Sequence, residues 1–298
     1  MVRFYLSAII LLSLVGIACG PKIEEKLTCG SKTYSQSVKT DVAWIALEWN
    51  CRPGDWGSGF LVDKERGAFY TNKHVSNTFN SLGRGSHKVF FNGKVYNVEI
   101  VKTPPLVDAA LIRITDPFNP SEFPEPAKVS TEIVAVGDKL FVEGLHVHPY
   151  RVRELDIAEG YDFPLVPIFK EYFHLGTINL DKEMEVVFER LEAKITELDK
   201  KISIQGQGTT NAQSARNASN SYVVIRTLKN HKFPFGGLSG TVVRNNKGET
   251  VGIFTAGPAE EFDPIAENPD GTVLLEQVYK TAYITPIEAV EELRKYIR

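Results

Sequence analysis

Short apolar and β-branched runs, separated by turns rich in glycine, proline and asparagine, recur along most of the chain. A first set reads at Ala43–Trp49, Gly57–Asp63, Ala68–Asn72, Val89–Phe91, Val95–Val101 and Ala109–Ile114. A second set reads at Leu140–Glu143, Tyr150–Ile157, Tyr222–Leu228, Gly240–Arg244, Thr250–Thr255 and Thr281–Ile284. Asn92-Gly93 between two of these runs is a strong two-residue hairpin signal. Many short strands with regular turns predict β-barrels or a sandwich.

Two segments depart from that rhythm. From Asp181 to Ile204, apolar residues Met184, Val187, Leu191, Ile195, Leu198 and Ile202 recur at three- and four-residue steps with charges between them, which predicts a helix. Gln205–Asn220 follows, rich in Gly, Gln, Asn, Ser and Thr, and reads as a loop. Together they read as an insertion, 176–220, between two strands. Its helix, 181–204, either packs on its own domain or offers a face to a partner or a second copy. At the end, Thr285-Pro286-Ile287-Glu288 reads as a capping box that opens a C-terminal helix, with Ile287, Val290, Leu293 and Ile297 as its apolar stripe.

The first residues change the picture from fold to place. Arg3 precedes an apolar run of 14 positions, Phe4–Ile17, too short for an ordinary spanning helix. Val15-Gly16-Ile17-Ala18-Cys19 closes it and is similar to the lipobox of bacterial lipoproteins. Residues 1–19 are therefore expected as a signal peptide with Cys19 as the lipidation site; cleavage near Ala18 or a retained anchor are the other readings. Either of the first two places the protein outside the cytoplasm. Residues 20–38 read as a polar tether. Cys29 and Cys51 are then the remaining cysteines, and in an oxidising compartment they are a disulfide candidate, against two buried free thiols. A net charge of −3 on 298 residues gives no reason to expect nucleic acid.

Three segments could carry chemistry. Thr71-Asn72-Lys73-His74-Val75 follows a strand, Val107-Asp108-Ala109-Ala110 opens one, and Phe235-Gly236-Gly237-Leu238-Ser239-Gly240-Thr241 sets a serine among glycines. Serine is a poor nucleophile at neutral pH and needs a base, usually histidine. The histidine in turn needs a carboxylate to hold its tautomer. His74, Asp108 and Ser239 supply the three types. His146 and His148, two apart on a strand, could face one way as metal ligands. With no third ligand apparent they read as ordinary polar strand residues, and His87, His174 and His231 carry no assigned role. Neither a metal nor a cofactor is expected.

Gly57–Asp63 followed by Tyr70–Val75 resembles the segment leading to the catalytic histidine in the Deg/HtrA branch of the trypsin-like serine proteases. Asp108–Ile112 is similar to that family's aspartate strand, Val136–Gly144 to the first strand of its second barrel, and Gly237–Gly240 to its nucleophile loop. In this chain Thr241 stands where that family's loop has a second glycine. The resemblance spans about residues 40–155 and 222–298. It implies an all-β fold of two six-stranded antiparallel barrels, the first at 39–135 with His74 and Asp108, the second at 136–298 with Ser239. It further implies a cleft between them, oxyanion donors at the Gly237 and Ser239 N–H groups, and protein or peptide substrates. No acid stands near Phe233, so small or medium apolar side chains are the expected preference. Two other readings stay open: a tethered adaptor of the same fold without useful catalysis, recruiting a partner through helix 181–204, and a zymogen-like protease whose 176–220 segment covers the cleft.

Overall fold

The structure is a computed structural model that describes residues 29–30, 32–78, 85–149, 154–155, 157–161, 163–173, 184–200, 221–257 and 260–298. The signal peptide with Cys19, residues 20–28 of the tether, residues 176–183 and the loop 205–220 lie outside the described residues.

The first barrel comprises β1 (Val42–Trp49), β2 (Arg52–Asp63), β3 (Ala68–Thr71), β4 (Ser86–Phe91), β5 (Lys94–Lys102) and β6 (Ala110–Ile114). They close in the order β1-β2-β3-β6-β5-β4, every pairing antiparallel. The β4–β5 turn is the expected Asn92-Gly93 pair, with φ of 51° and 75°; both positive values match the turn whose twist suits a hairpin.

The second barrel uses β7 (Lys139–Pro149), β9 (Met184–Lys200), β10 (Tyr222–His231), β11 (Val242–Arg244), β12 (Thr250–Ala256) and β14 (Val273–Pro286). Pairings β7–β9, β9–β10, β10–β14, β14–β12, β12–β11 and β11–β7 return the ring to its start. Two strands add to its outside: β8 (Leu165–Val166) on β9, and β13 (Glu261–Glu267) on β14. The fold is thus the expected pair of six-stranded antiparallel barrels.

Both faces of β1 are buried. Ala43, Ile45 and Leu47 point into the first barrel with Leu61, Phe69, Phe91 and Ile112. Val42, Trp44 and Ala46 face outward into a second cluster, where Phe60, Tyr70 and Phe90 meet Leu145, Val147, Val242 and Ile253 of the other barrel. A short helix, α2 (Ile168–Glu171), adds Phe169 to this junction. Burial on both faces explains why Ala43–Leu47 is apolar without alternation. The junction also holds an ion network. Arg244 of β11 reaches Glu143 at 2.8 Å and pairs with Asp41 at the entrance of β1.

Four expectations are corrected. Residues 184–200 are a strand, not a helix. Val187, Glu189, Leu191, Ala193 and Ile195 are buried while Arg190, Glu192, Lys194 and Thr196 are exposed, a period of two. Val187, Leu191 and Ile195 are four apart, a step that a helical stripe and one face of a strand share. Residues 154–155 and 157–158 are helical, so the Tyr150–Ile157 strand is not formed there; β7 instead runs on to Pro149. The C-terminal helix is two 3₁₀ segments, Ile287–Ala289 and Glu291–Tyr296. Buried Ile287, Val290 and Leu293 repeat every three residues, the 3₁₀ period. Thr285 cannot cap them, because it is still paired in β14 and its hydroxyl lies 2.7 Å from Thr255 Oγ1. Finally, the tether ends early: Lys32 O and Tyr34 N bond Val95 N and Gly93 O, and Tyr34 is buried, so this stretch packs on the first barrel.

Candidate active site

β3 ends at Thr71 and the chain turns at once into α1 (Lys73–Thr78), which carries His74 in its first turn. Asn72 fixes that turn. It accepts from Ser76 N through its carbonyl, and its side-chain amide donates to Asp108 O at 2.8 Å. Asp108 stands just before β6, the neighbour of β3, so sheet pairing brings the acid beside the histidine. One carboxylate oxygen accepts the His74 main-chain N–H at 3.0 Å; the other lies 2.7 Å from His74 Nδ1. Asp108 is 2% exposed and the His74 side chain 27%. A buried carboxylate on Nδ1 keeps the proton there, which leaves Nε2 as the basic nitrogen on the open side.

Ser239 comes from the other barrel, in the turn between β10 and β11. Gly240 makes the turn possible. Its φ is +92°, and a Cβ there would sit 1.9 Å from Ser58 O. The close approach lets Ser58 N donate to Ser239 O at 2.7 Å, a main-chain bond across the two barrels. Ser239 Oγ donates to Thr255 O at 3.1 Å. His74, Asp108, Ser239, Gly236, Tyr222, Phe235, Thr255, Ala256 and Gly257 line one cleft of 320 Å³.

Within the turn, the Leu238, Gly240 and Thr241 N–H groups donate to Phe235 O, Leu238 O and Phe254 O in the pairs Leu238–Phe235, Thr241–Leu238 and Gly240–Phe254. The Gly237 and Ser239 N–H groups have no acceptor among the described residues. They are the two donors expected to meet an oxyanion. Thr241 is accommodated by Gly144 of β7, where a Cβ would fall 2.1 Å from Thr241 Oγ1.

His146 and His148 are not ordinary polar residues of a strand surface. Both are fully buried, together with Glu189 and His231. His146 Nε2 lies 2.7 Å from Gly236 O, behind the turn that carries Ser239. Phe233 packs on both rings, with centroids 5.4 and 5.3 Å away, and is not among the cleft-lining residues. Sequence reasoning missed Glu189 and His231. The usable signal was a charged residue on the buried face of an alternating strand, and it needed the strand assignment first.

Cys29 and Cys51 lie with Cα atoms 5.1 Å apart, within disulfide reach. Among the described residues no helix is long and apolar enough to cross a membrane.

No family model matches this sequence, and no curated protein sequence does. Among solved structures the chain is similar to the Rv3671c protease from M. tuberculosis in its active form, at 16% identity and a TM-score of 0.48, covering 87% of this chain and 81% of that one. It is similar to Deg5 at 18% identity and a TM-score of 0.49, over 86% and 87% of the two chains. It is also similar to the HtrA-type protease AlgW, bound to a tripeptide, at 15% identity and a TM-score of 0.47, over 87% of this chain and 60% of that one.

Proposed function

We propose that this protein is a serine endopeptidase. The observation that carries the reading is the double grip of Asp108 on His74, through both the main-chain N–H and Nδ1, in a cleft shared with Ser239. In this reading His74 Nε2 takes the Ser239 proton as Oγ attacks a peptide carbonyl. The protonated ring then gives that proton to the leaving amine. Asp108 stabilises the imidazolium between the two steps. The Gly237 and Ser239 N–H groups receive the developing oxyanion, each worth about 3 kcal/mol in the transition state. Water then hydrolyses the acyl-enzyme, with His74 again as base.

The cleft walls bear on the substrate. Phe235, Tyr222, Thr255 and Ala256 offer apolar and hydroxyl surface, and among the described residues no acidic side chain but Asp108 lines the cleft. A small or medium apolar residue before the scissile bond fits this lining. The substrates are protein segments extended enough to enter between the barrels. A casein-type unfolded protein should be cleaved by purified full-length chain, and Ser239→Ala should abolish cleavage while keeping the same thermal unfolding midpoint. Undiminished cleavage by Ser239→Ala would refute the assignment.

Export with lipid attachment at Cys19 is part of the same proposal, supported by the residues around Cys19. So is a Cys29–Cys51 disulfide, supported by the short Cα separation. Metabolic labelling with a palmitate analogue that is lost in Cys19→Ser would establish the anchor; equal labelling of both chains would exclude it. The adaptor alternative loses its helix, because residues 184–200 are built into the second barrel as β9.

A further inference from the structure

Four potential ligands converge behind the nucleophile turn. His146 and His148 lie on one face of β7, Glu189 on β9 opposite Gly144 and diagonal to His146, and His231 at the end of β10. All four are fully buried, and one donor atom from each lies within 4.8 Å of the others. His146 Nδ1 is 2.9 Å from Glu189 Oε1, His148 Nε2 is 3.0 Å from His146 Nδ1, and His231 Nε2 is 3.4 Å from Glu189 Oε1. His148 Nε2 also contacts Glu189 Oε1 directly. Four ligands arranged tetrahedrally at about 2.0–2.1 Å from a zinc ion would stand roughly 3.3 Å apart.

The tautomers fit the same picture. His146 Nε2 faces Gly236 O at 2.7 Å, so that nitrogen carries a proton and Nδ1 presents its lone pair to the cluster. His231 Nδ1 faces Phe233 O at 2.5 Å. The Phe233 N–H is 3.3 Å from the same nitrogen, but a lone pair there would confront the nearer carbonyl, so the proton sits on Nδ1 and Nε2 is left basic. Ring nitrogens anchored to main-chain carbonyls on their far side are the usual support of histidine ligands. Lone pairs of His146 and His231 thus point at a carboxylate oxygen. The four donor groups are crowded together and shut off from water. One divalent cation relieves all of these contacts together. Phe163, Phe233, Tyr161 and Phe235 pack around the rings.

We propose that His146 Nδ1, His148 Nε2, His231 Nε2 and Glu189 hold one zinc ion, and that this centre fixes the Gly236–Gly237 peptide. Three imidazoles and a carboxylate in a closed, dry, four-ligand set suit structural zinc. The link to the cleft is a single bond. His146 donates to Gly236 O, and in a trans peptide the Gly237 N–H points the opposite way from that carbonyl. The ligand that binds the metal therefore also sets the direction of a proposed oxyanion donor. Gly237 has φ +104°, and a Cβ there would meet Trp56 Nε1 at 2.9 Å and His146 Cδ2 at 3.2 Å, so both side chains pack closely against this residue. This second part rests on the protease reading; metal binding does not.

The test uses the full chain, purified without a histidine tag, stripped with dipicolinate and titrated with Zn²⁺ and with Co²⁺. One equivalent per chain is expected, with the intense visible bands of four-coordinate cobalt and a raised unfolding midpoint. Glu189→Gln keeps the side-chain volume and should lose the cobalt spectrum, as should His148→Ala. Folded wild-type protein that takes up no metal, or variants that bind it unchanged, would overturn the site. Zinc removal should also slow fluorophosphonate labelling of Ser239, by up to about 100-fold if one oxyanion donor is lost. Labelling at equal rates with and without zinc would overturn the positioning role. Stoichiometric zinc in a protein whose Ser239 never labels would leave the metal site standing and the protease reading refuted.

Discussion

His146 Nε2 lies 2.7 Å from Gly236 O, and this bond joins the buried histidine cluster of the second barrel to the turn that carries Ser239. The turn is also held by main-chain bonds, Leu238 N to Phe235 O, Thr241 N to Leu238 O, Gly240 N to Phe254 O and Ser58 N to Ser239 O, and by Ser239 Oγ donating to Thr255 O. The turn is thus fixed on one side by the first barrel and on the other by His146. In the proposed mechanism His146 aims an oxyanion donor without itself taking part in the chemistry.

Asp108→Asn should lower kcat by about 10⁴-fold, the cost such a replacement has in a Ser-His-Asp triad, with little change in unfolding midpoint. The reason is local. If the amide oxygen keeps the His74 N–H, its NH₂ group must face Nδ1 and donate to it. The ring proton then moves to Nε2, which can no longer accept from Ser239. Steady-state kinetics on a peptide substrate checks this; a fall of less than tenfold would mean Asp108 does not set the tautomer.

Gly240→Ala should destabilise by about 3–5 kcal/mol, in the range of severe backbone strain and overpacking. The new Cβ would collide with Ser58 O at 1.9 Å at a φ of +92°. Gly236→Ala is the control, since a Cβ there meets nothing within 4 Å. Urea unfolding should show a large loss for the first and less than about 1 kcal/mol for the second.

Arg244→Met should cost about 3–5 kcal/mol, because it strands the buried Asp41 carboxylate without its partner. Asp41 also accepts Ala127 N and, through its main chain, Leu61 N, so it ties the segment linking the barrels to β2. Replacing Asp41 together with Arg244 by apolar residues should recover most of the loss. A double-mutant cycle in urea measures the coupling; a value near zero would show that the pair is not a unit.

Burial pushes His87 of β4 down to about 4 from an ordinary 6.5. The unfolded chain therefore takes up a proton between those values while the folded chain does not. Folding stability should fall as pH drops from 6.5 towards 4 and be insensitive to this group above 6.5. His87→Gln should flatten that part of the profile. Urea midpoints at pH 7 and pH 5 for both chains test it, and equal slopes would place the cause elsewhere.

The first barrel was legible because its signals are local. Asn92-Gly93 needs no tertiary information, and His74 and Asp108 each sit beside a strand end that the apolar pattern marks. The strand at 184–200 reads as a helix for a local reason. Glu189 occupies a core-facing position, and a charge there breaks the alternation that would announce a strand; removing it from the pattern leaves the four-residue steps of Val187, Leu191 and Ile195, which a helix shares. The same residue concealed the metal-type cluster, since His231 and Glu189 join His146 and His148 only after β7, β9 and β10 close into a barrel. Thr285 misled in a similar way: its hydroxyl serves Thr255, not a helix start.

The most direct test of Ser239 as the nucleophile is which atom a fluorophosphonate probe attacks. Full-length protein treated at neutral pH should carry one adduct, mapped by mass spectrometry to the peptide containing Ser239, and it should be absent from Ser239→Ala and strongly reduced in His74→Ala. Folded, zinc-replete protein that remains unlabelled, or an adduct mapped to another serine, would contradict it.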